Sequence, residues 1–365
     1  MLKRVLVVFV MLILLLVGCS SNKQQDDALN NNDKHNTPLI QQENDELEVL
    51  AENLNIPWSI EKSDHIFYLT ERSGSIVKIE NGEMERQTVE LKKELATASE
   101  AGLLGFVLAP DFKQSNLAYA YYTFEDRSGQ FNRLITLRFE DNVWREEKIL
   151  LDNIPSGTYH HGGRIKIGPD GKLYATVGDA SDRKIAQDPN SLGGKILRMN
   201  LDGSIPNDNP FSDSYVYSYG HRNPQGITWL PDGVLYASEH GNDANDEINR
   251  IEAGQNYGWP IIEGDEEQDG LVTPVFTSGD DSTWAPSGMD YYNGKLYAAA
   301  LRGTAVLEFD LELGEYREVI NGLGRVRDVL IEGDYLYFIS NNTDGRGNPQ
   351  ENDDKLYRIL LSEVN

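Results

Sequence analysis

The chain has 365 residues, 39% of them hydrophobic, enough to bury a large core in one big domain or two to three small ones. Its 59 acidic residues against 33 basic ones leave a formal net charge of -26, a field that repels nucleic acid and anionic lipid and removes both as partners. Cys19 is the only cysteine, which excludes an internal disulfide.

In chain order the N-terminus comes first. Lys3 and Arg4 precede an apolar run from Val5 to Val17. The run is too short for a span of about 20 residues but has the length of a signal-peptide core. It ends in Leu16-Val17-Gly18-Cys19, small residues before a cysteine, as at a bacterial lipoprotein cleavage site. The expectation is a lipoprotein signal peptide over residues 1–18 and a lipidated Cys19. The mature protein would then be extracytoplasmic and meet the cell membrane only through that anchor. Residues 19–44 are polar, Asn/Asp/Gln-rich and without periodicity, which predicts a disordered tether.

Over 45–365 one pattern recurs: an alternating strand, a Gly/Pro/Asp/Asn turn, then a strand built around a tyrosine. The tyrosines are Tyr68, Tyr119, Tyr174, Tyr236, Tyr297 and Tyr337, spaced 40 to 62 residues apart. Several short strands per period of roughly 40 to 50 residues predict an all-β fold, a six-bladed β-propeller of four-stranded antiparallel blades. An array of β-sandwiches is the alternative. A strand over 46–51 can close the ring by pairing with the last blade, which removes exposed edges. The stretch from Glu83 to Ser99 is expected to hold a short helix.

In a propeller the first strand of each blade lines the central channel, so residues before those strands converge on one mouth. Unusual residues stand there: Glu100 before blade two, His160-His161-Gly162-Gly163-Arg164 before blade three, His221-Arg222-Asn223 before blade four and Arg325-Val326-Arg327 before blade six. Arginines from several blades aimed at one mouth make an anion site; pairing with the many carboxylates is the competing account. His160 or His161 can act as a general base, since imidazole titrates near neutral pH, with Asp179 placed to orient it. The glycines permit close approach of a ligand or positive φ. No Gly-x-Ser-x-Gly elbow supports a serine nucleophile. The loop Glu239 to Asn249 and the following Asn256-Tyr257-Gly258-Trp259-Pro260 crowd oxygen donors of the kind calcium needs, without EF-hand spacing. A solvated acidic loop is the plainer account of the first stretch.

With these residues in view the chain resembles the soluble dehydrogenases of aldoses that use pyrroloquinoline quinone (PQQ), the glucose/sorbosone dehydrogenase family, over about Leu47 to Leu361. The resemblance rests on HHGGRIKIGPDGKLYATVGD, GKILRMNLDGSIPNDNP, YGHRNPQGI, DEIN with NYGWP, and RVRDV. It implies a six-bladed propeller and oxidation of an aldose at C1 to the lactone, with an external acceptor taking the electrons. It further implies that His160 takes the C1 hydroxyl proton, Asp179 supports it, and hydride passes to PQQ. Arg222, Asn223, Arg325 and Arg327, together with His160 itself, match cofactor-contacting positions, Glu100 stands where the family has glutamine, and Arg302 falls near a family lysine. A one-residue shift would put Leu301 there instead. Gly241 and Asn242 match carbonyl donors to a calcium at the quinone; Glu247 and Tyr257 match ligands of a further calcium. Facing an anionic cofactor, Glu100 would cost affinity unless it is protonated or binds metal. Trp259 and Trp284 are candidates to stack on a pyranose, with core packing as the alternative. Two other functions fit parts of the pattern: a calcium-dependent propeller lactonase and a non-catalytic propeller that binds a glycan or protein.

Overall fold

Alternating apolar residues and tight Gly-containing turns fold the chain into short antiparallel hairpins. The computed structural model describes residues 47–96 and 99–364; Cys19, the apolar run and the whole tether over 19–44 lie outside them. Among the described residues no helix is long and apolar enough to cross a membrane.

The hairpins assemble into four-stranded antiparallel sheets, consistent with a propeller. One runs Ile165–Ile167, Leu173–Val177, Lys195–Met199, Val216–Tyr219, and a second Pro224–Trp229, Leu235–Glu239, Glu247–Ile251, Phe276–Thr277. A third runs Pro286–Tyr292, Lys295–Ala300, Ala305–Asp310, Glu315–Asn321. In the next, Val326–Glu332, Tyr335–Ser340 and Leu356–Leu360 are completed by the N-terminal strand Glu48–Ala51, with Glu48 opposite Arg358. The closing strand expected from sequence therefore forms. The remaining sheet has eight strands: two antiparallel ladders, Pro57 to Glu90 and Leu103 to Pro155, joined where Glu83–Glu90 runs parallel to Val143–Pro155.

The predicted helix over 83–99 is replaced by the strand Glu83–Glu90. Asn81 and Gly82 both take positive φ, 54° and 80°. That is the backbone of a two-residue hairpin turn, which returns the chain antiparallel to Ser75–Glu80. The turn overrode the weak helical periodicity.

All six repeat tyrosines are buried at matching positions of second strands, where they fill the layers between neighbouring sheets. The first strands pack on one another in a closed cycle around a channel. Arg164, 2% exposed, crosses that channel. Its Nη1 donates to Asp328 Oδ2 at 2.8 Å and its Nε to the Gln225 carbonyl at 2.9 Å, with Trp58 beneath the guanidinium at 4.2 Å. Asp328 Oδ2 also accepts from the Ile60 amide at 2.8 Å. Arg164 is thus a strut between sheets, and its partner is a protein carboxylate.

Candidate active site

Because neighbouring strands of a blade are antiparallel, first-strand starts and second-strand ends meet at the same mouth. They line a cleft of about 930 Å³, counting its open entrance, a size that suits a small ligand. Glu100, His160, Arg222, Asn223, Gly241, Asn242, Arg302, Arg325 and Arg327 all line it. Asp179, Glu247 and Tyr257 stand behind the wall.

His160 sits at φ +65°, a left-handed conformation that turns its ring to the cleft. Its Nδ1 and Asp179 Oδ1 are 2.7 Å apart, so Nδ1 donates and Nε2 is left as the basic nitrogen. Burial pushes the Asp179 carboxyl up, but donors from His160, Trp259 and Ser181 outweigh it and hold the acid below its ordinary range. His161 is different: buried, paired through Nδ1 with Ser156 Oγ at 3.0 Å, and pushed by burial to about 4. His221 bonds Glu239 and Ser218 and stacks on Tyr257 at 4.8 Å, a packing role. Of the two adjacent histidines only His160 combines an exposed edge with a carboxylate.

Gly162 and Gly163 are both crowded by the chain itself, and Gly162 also lines the cleft. Both have positive φ, and a Cβ would strike Thr176 O at 2.5 Å in the first and Leu104 Cδ1 at 2.8 Å in the second. They let the strand start press against its own blade and its neighbour.

The arginines divide into two kinds. Arg325 is paired with Asp344, Nη2 to Oδ2 at 2.8 Å. Arg327, equally buried, has only neutral acceptors, Gln225 Oε1 at 2.8 Å and Asn341 Oδ1 at 3.1 Å. Burial and the neighbouring Arg325 push its guanidinium down to about 9. Arg222 reaches the His240 and Asn242 carbonyls at 3.3 and 3.4 Å, and its buried Nε has no partner among the described residues. Arg302 is exposed at the rim beside Leu301, whose carbonyl accepts from Arg325 Nη1. Cations that meet only neutral partners in a cleft, Arg327 buried and Arg222 half-buried, call for an anion.

Glu100 has a cation of its own, Arg346. Burial raises its carboxyl, but Arg346, with Nη1 at 2.7 Å from Oε1, outweighs that and holds it at about 2. Its Oε2 accepts from the His160 amide at 3.1 Å, which ties the base to the cleft wall. The sequence reading missed Arg346 and also Arg72, which donates to the Ala101 and Ser99 carbonyls. Both lie after second strands.

Trp284 and Trp259 are not sugar platforms. Trp284 is buried against Phe309 and Tyr316. Trp259 is 5% exposed and gives its indole N–H to Asp179.

Two features bear on cations. The half-buried Glu247 acid is raised to about 8, by desolvation first and then by Glu239 across the strand pair. Beside it, Asn249 Oδ1 is buried without a partner. The Tyr257 hydroxyl is used within the chain, by the Glu252 amide and the Arg250 carbonyl. That leaves only its backbone oxygen for a metal. Among the described residues no three His, Cys, Asp or Glu side chains converge on one metal position.

A nearly all-β fold consistent with a propeller, with a histidine–aspartate pair facing an arginine-lined cleft, is the architecture of an enzyme that moves a proton beside an anionic ligand. The chain belongs to the glucose/sorbosone dehydrogenase family, whose model matches residues 54–358. It is 35% identical over 266 residues to quinoprotein glucose dehydrogenase B of Acinetobacter calcoaceticus, covering 64% of this chain and 56% of that one. It is 30% identical to aldose sugar dehydrogenase YliI of Escherichia coli K12, covering 82% and 91%. The PQQ-bound aldose sugar dehydrogenase of Streptomyces coelicolor superposes with a TM-score of 0.80 at 34% identity, covering 86% of this chain and 97% of that one.

Proposed function

We propose that the protein is a PQQ-dependent aldose dehydrogenase that oxidises the sugar at C1 to the lactone and passes the electrons to an external acceptor. The observation that carries this reading is the pairing of His160 with Asp179 opposite Arg222 and Arg327, cations with no carboxylate of their own. The residues fit the cofactor: the partnerless Arg222 Nε and the neutral-bonded Arg327, with Asn223, Arg302 and Arg325, would hold its carboxylates. Bound there, PQQ supplies the two-electron acceptor for the hydride that leaves C1. His160 Nε2 accepts the C1 hydroxyl proton, and Asp179 fixes Nδ1–H and stabilises the imidazolium that results. The cleft's arginines favour an alkoxide-like charge on the substrate oxygen.

The fold in this reading has six blades. The two antiparallel four-strand ladders of the eight-stranded sheet and the closed cycle of first strands support that count. Calcium is part of the proposal at two places: the Gly241 and Asn242 carbonyls at the cleft, and Glu247 with the Tyr257 carbonyl. The raised Glu247 acid and the unpartnered Asn249 oxygen support the second, since a cation relieves both. Residues 1–18 as signal peptide, lipidated Cys19 and a tether to residue 44 would hold the enzyme outside the cytoplasm on the membrane.

The test is a spectral titration of the metal-free protein with PQQ and Ca²⁺, followed by dye reduction with a panel of aldoses. Saturable binding with sugar-dependent reduction is the expected result. A folded, calcium-loaded protein that hydrolyses lactones and ignores PQQ is the lactonase instead; one that binds PQQ weakly and turns over nothing is the non-catalytic propeller. Glu100→Gln is expected to tighten PQQ binding roughly threefold to tenfold in the same titration. It removes a negative charge and frees Arg346. Unchanged affinity would mean that the Arg346 pair already cancels that charge at the cofactor.

A further inference from the structure

The Asp179 carboxylate has a second side-chain partner behind the cleft. Trp259 Nε1 donates to Asp179 Oδ2 at 2.9 Å, while Oδ1 accepts from His160 Nδ1 at 2.7 Å and the Ser181 amide at 2.8 Å. Trp259 does not line the cleft and is 5% exposed. Its backbone is pinned at both ends: its amide donates to the Gly220 carbonyl at 2.9 Å, and its carbonyl accepts from Gln187 Nε2 at 2.7 Å. The indole ring lies near two guanidinium groups, Arg183 at 4.9 Å and Arg222 at 5.3 Å. A ring held by backbone and two cations has little freedom, so its N–H is a fixed post.

We propose that Trp259 is a positioning residue: its indole N–H fixes the plane of the Asp179 carboxylate, and through it the orientation of the His160 imidazole. This rests on the reading of His160 as the base. The chemistry follows from the geometry. With Oδ2 held, the carboxylate cannot rotate about its Cβ–Cγ bond, so Oδ1 stays on Nδ1–H and the ring cannot swing its Nε2 out of the cleft. The same N–H takes up part of the carboxylate's charge. Removing it exposes His160 to a stronger negative field and favours the imidazolium. The other titratable or charged groups facing this trio are Glu100 on the His160 amide, the buried His161, and Arg222 and Arg183 over the indole. None of them changes in the variant.

Trp259→Phe keeps the ring and loses only the donor. The expected result is a kcat lower by roughly tenfold to a hundredfold with KM changed less than about twofold. The acid limb of the kcat/KM profile moves to higher pH, because the base must be neutral and its imidazolium is now favoured. A readout independent of turnover is the His160 imidazole titration followed by NMR in the cofactor-free protein, which should shift the same way. In an Asp179→Asn background the Trp259→Phe change should cost little more, since both act through one carboxylate. Should the phenylalanine variant misfold, benzothienylalanine at position 259 replaces N–H by sulfur within the same ring shape. Full additivity with Asp179→Asn, an unmoved His160 titration, or a loss of stability alone with kcat and titration unmoved would each overturn the proposal. Because the NMR measurement needs no PQQ, its outcome is separate from that of the dehydrogenase reading.

Discussion

His160→Ala is expected to lower kcat for aldose oxidation by roughly 10²–10⁴-fold while PQQ binding and fold are retained. The magnitude is that of a lost general base. The retention follows from the surroundings. Asp179 keeps Trp259 and Ser181 as donors after the imidazole is gone, so no bare carboxylate is left in the core. The arginines that face the anion do not touch His160. One complication is the backbone: His160 has φ +65°, where alanine is strained by about 1–2 kcal/mol. His160→Asn serves as the partner variant, because asparagine tolerates that conformation and still cannot take the proton at the Nε2 position. Both variants should bind PQQ with unchanged spectra and show the same collapse in single-turnover reduction. Undiminished turnover in either would remove His160 from the mechanism and leave the cleft without a base.

How far the site could be read from sequence depends on which end of which strand a residue occupies. His160, Arg222 and Arg327 stand just before or at first strands, within a few residues of a glycine or proline, where polar residues interrupt an otherwise apolar pattern. That contrast made them visible. Arg72 and Arg346 sit in ordinary-looking turns after second strands, Glu71-Arg72-Ser73-Gly74 and Asp344-Gly345-Arg346-Gly347, where arginine excites no notice. Yet antiparallel pairing puts those turns at the same mouth, and Asp179, Gly241 and Arg302 occupy the corresponding turns of three other sheets. A reading that collected second-strand ends as well as first-strand starts would have found both. The partner of Glu100 was invisible for a further reason. Arg346 is 246 residues away, and only ring closure brings it within 2.7 Å. The false helix over 83–99 had the opposite cause, since Asn81-Gly82 was a local signal strong enough to have decided it. The two glycines after His161 were read as room for a ligand or for positive φ; both take positive φ and face Thr176 and Leu104, which no periodicity reveals, and Gly162 also lines the cleft.

The contrast between Arg325 and Arg327 leads to the second large effect. Both are buried and both point at the cleft, but only Arg325 has a carboxylate, Asp344, which is itself buried. Arg327 donates to two side-chain amides and is pushed down to about 9, so holding its charge costs the cofactor-free protein stability at neutral pH. Arg327→Gln removes that charge and keeps an amide donor for Asn341. PQQ affinity should fall roughly tenfold to a hundredfold, the worth of a buried charge-assisted hydrogen bond. The Tm of the cofactor-free protein should not fall and can rise by about 2–4 °C. Arg325→Gln should differ on the second count. It strands the Asp344 carboxylate, so Tm should drop along with affinity. Calorimetry of the cofactor-free variants beside PQQ titrations separates the two behaviours. The arginine that weakens the empty protein is the one shaped for a ligand, and wild-type PQQ affinity in Arg327→Gln would show that the cleft's anion is held elsewhere.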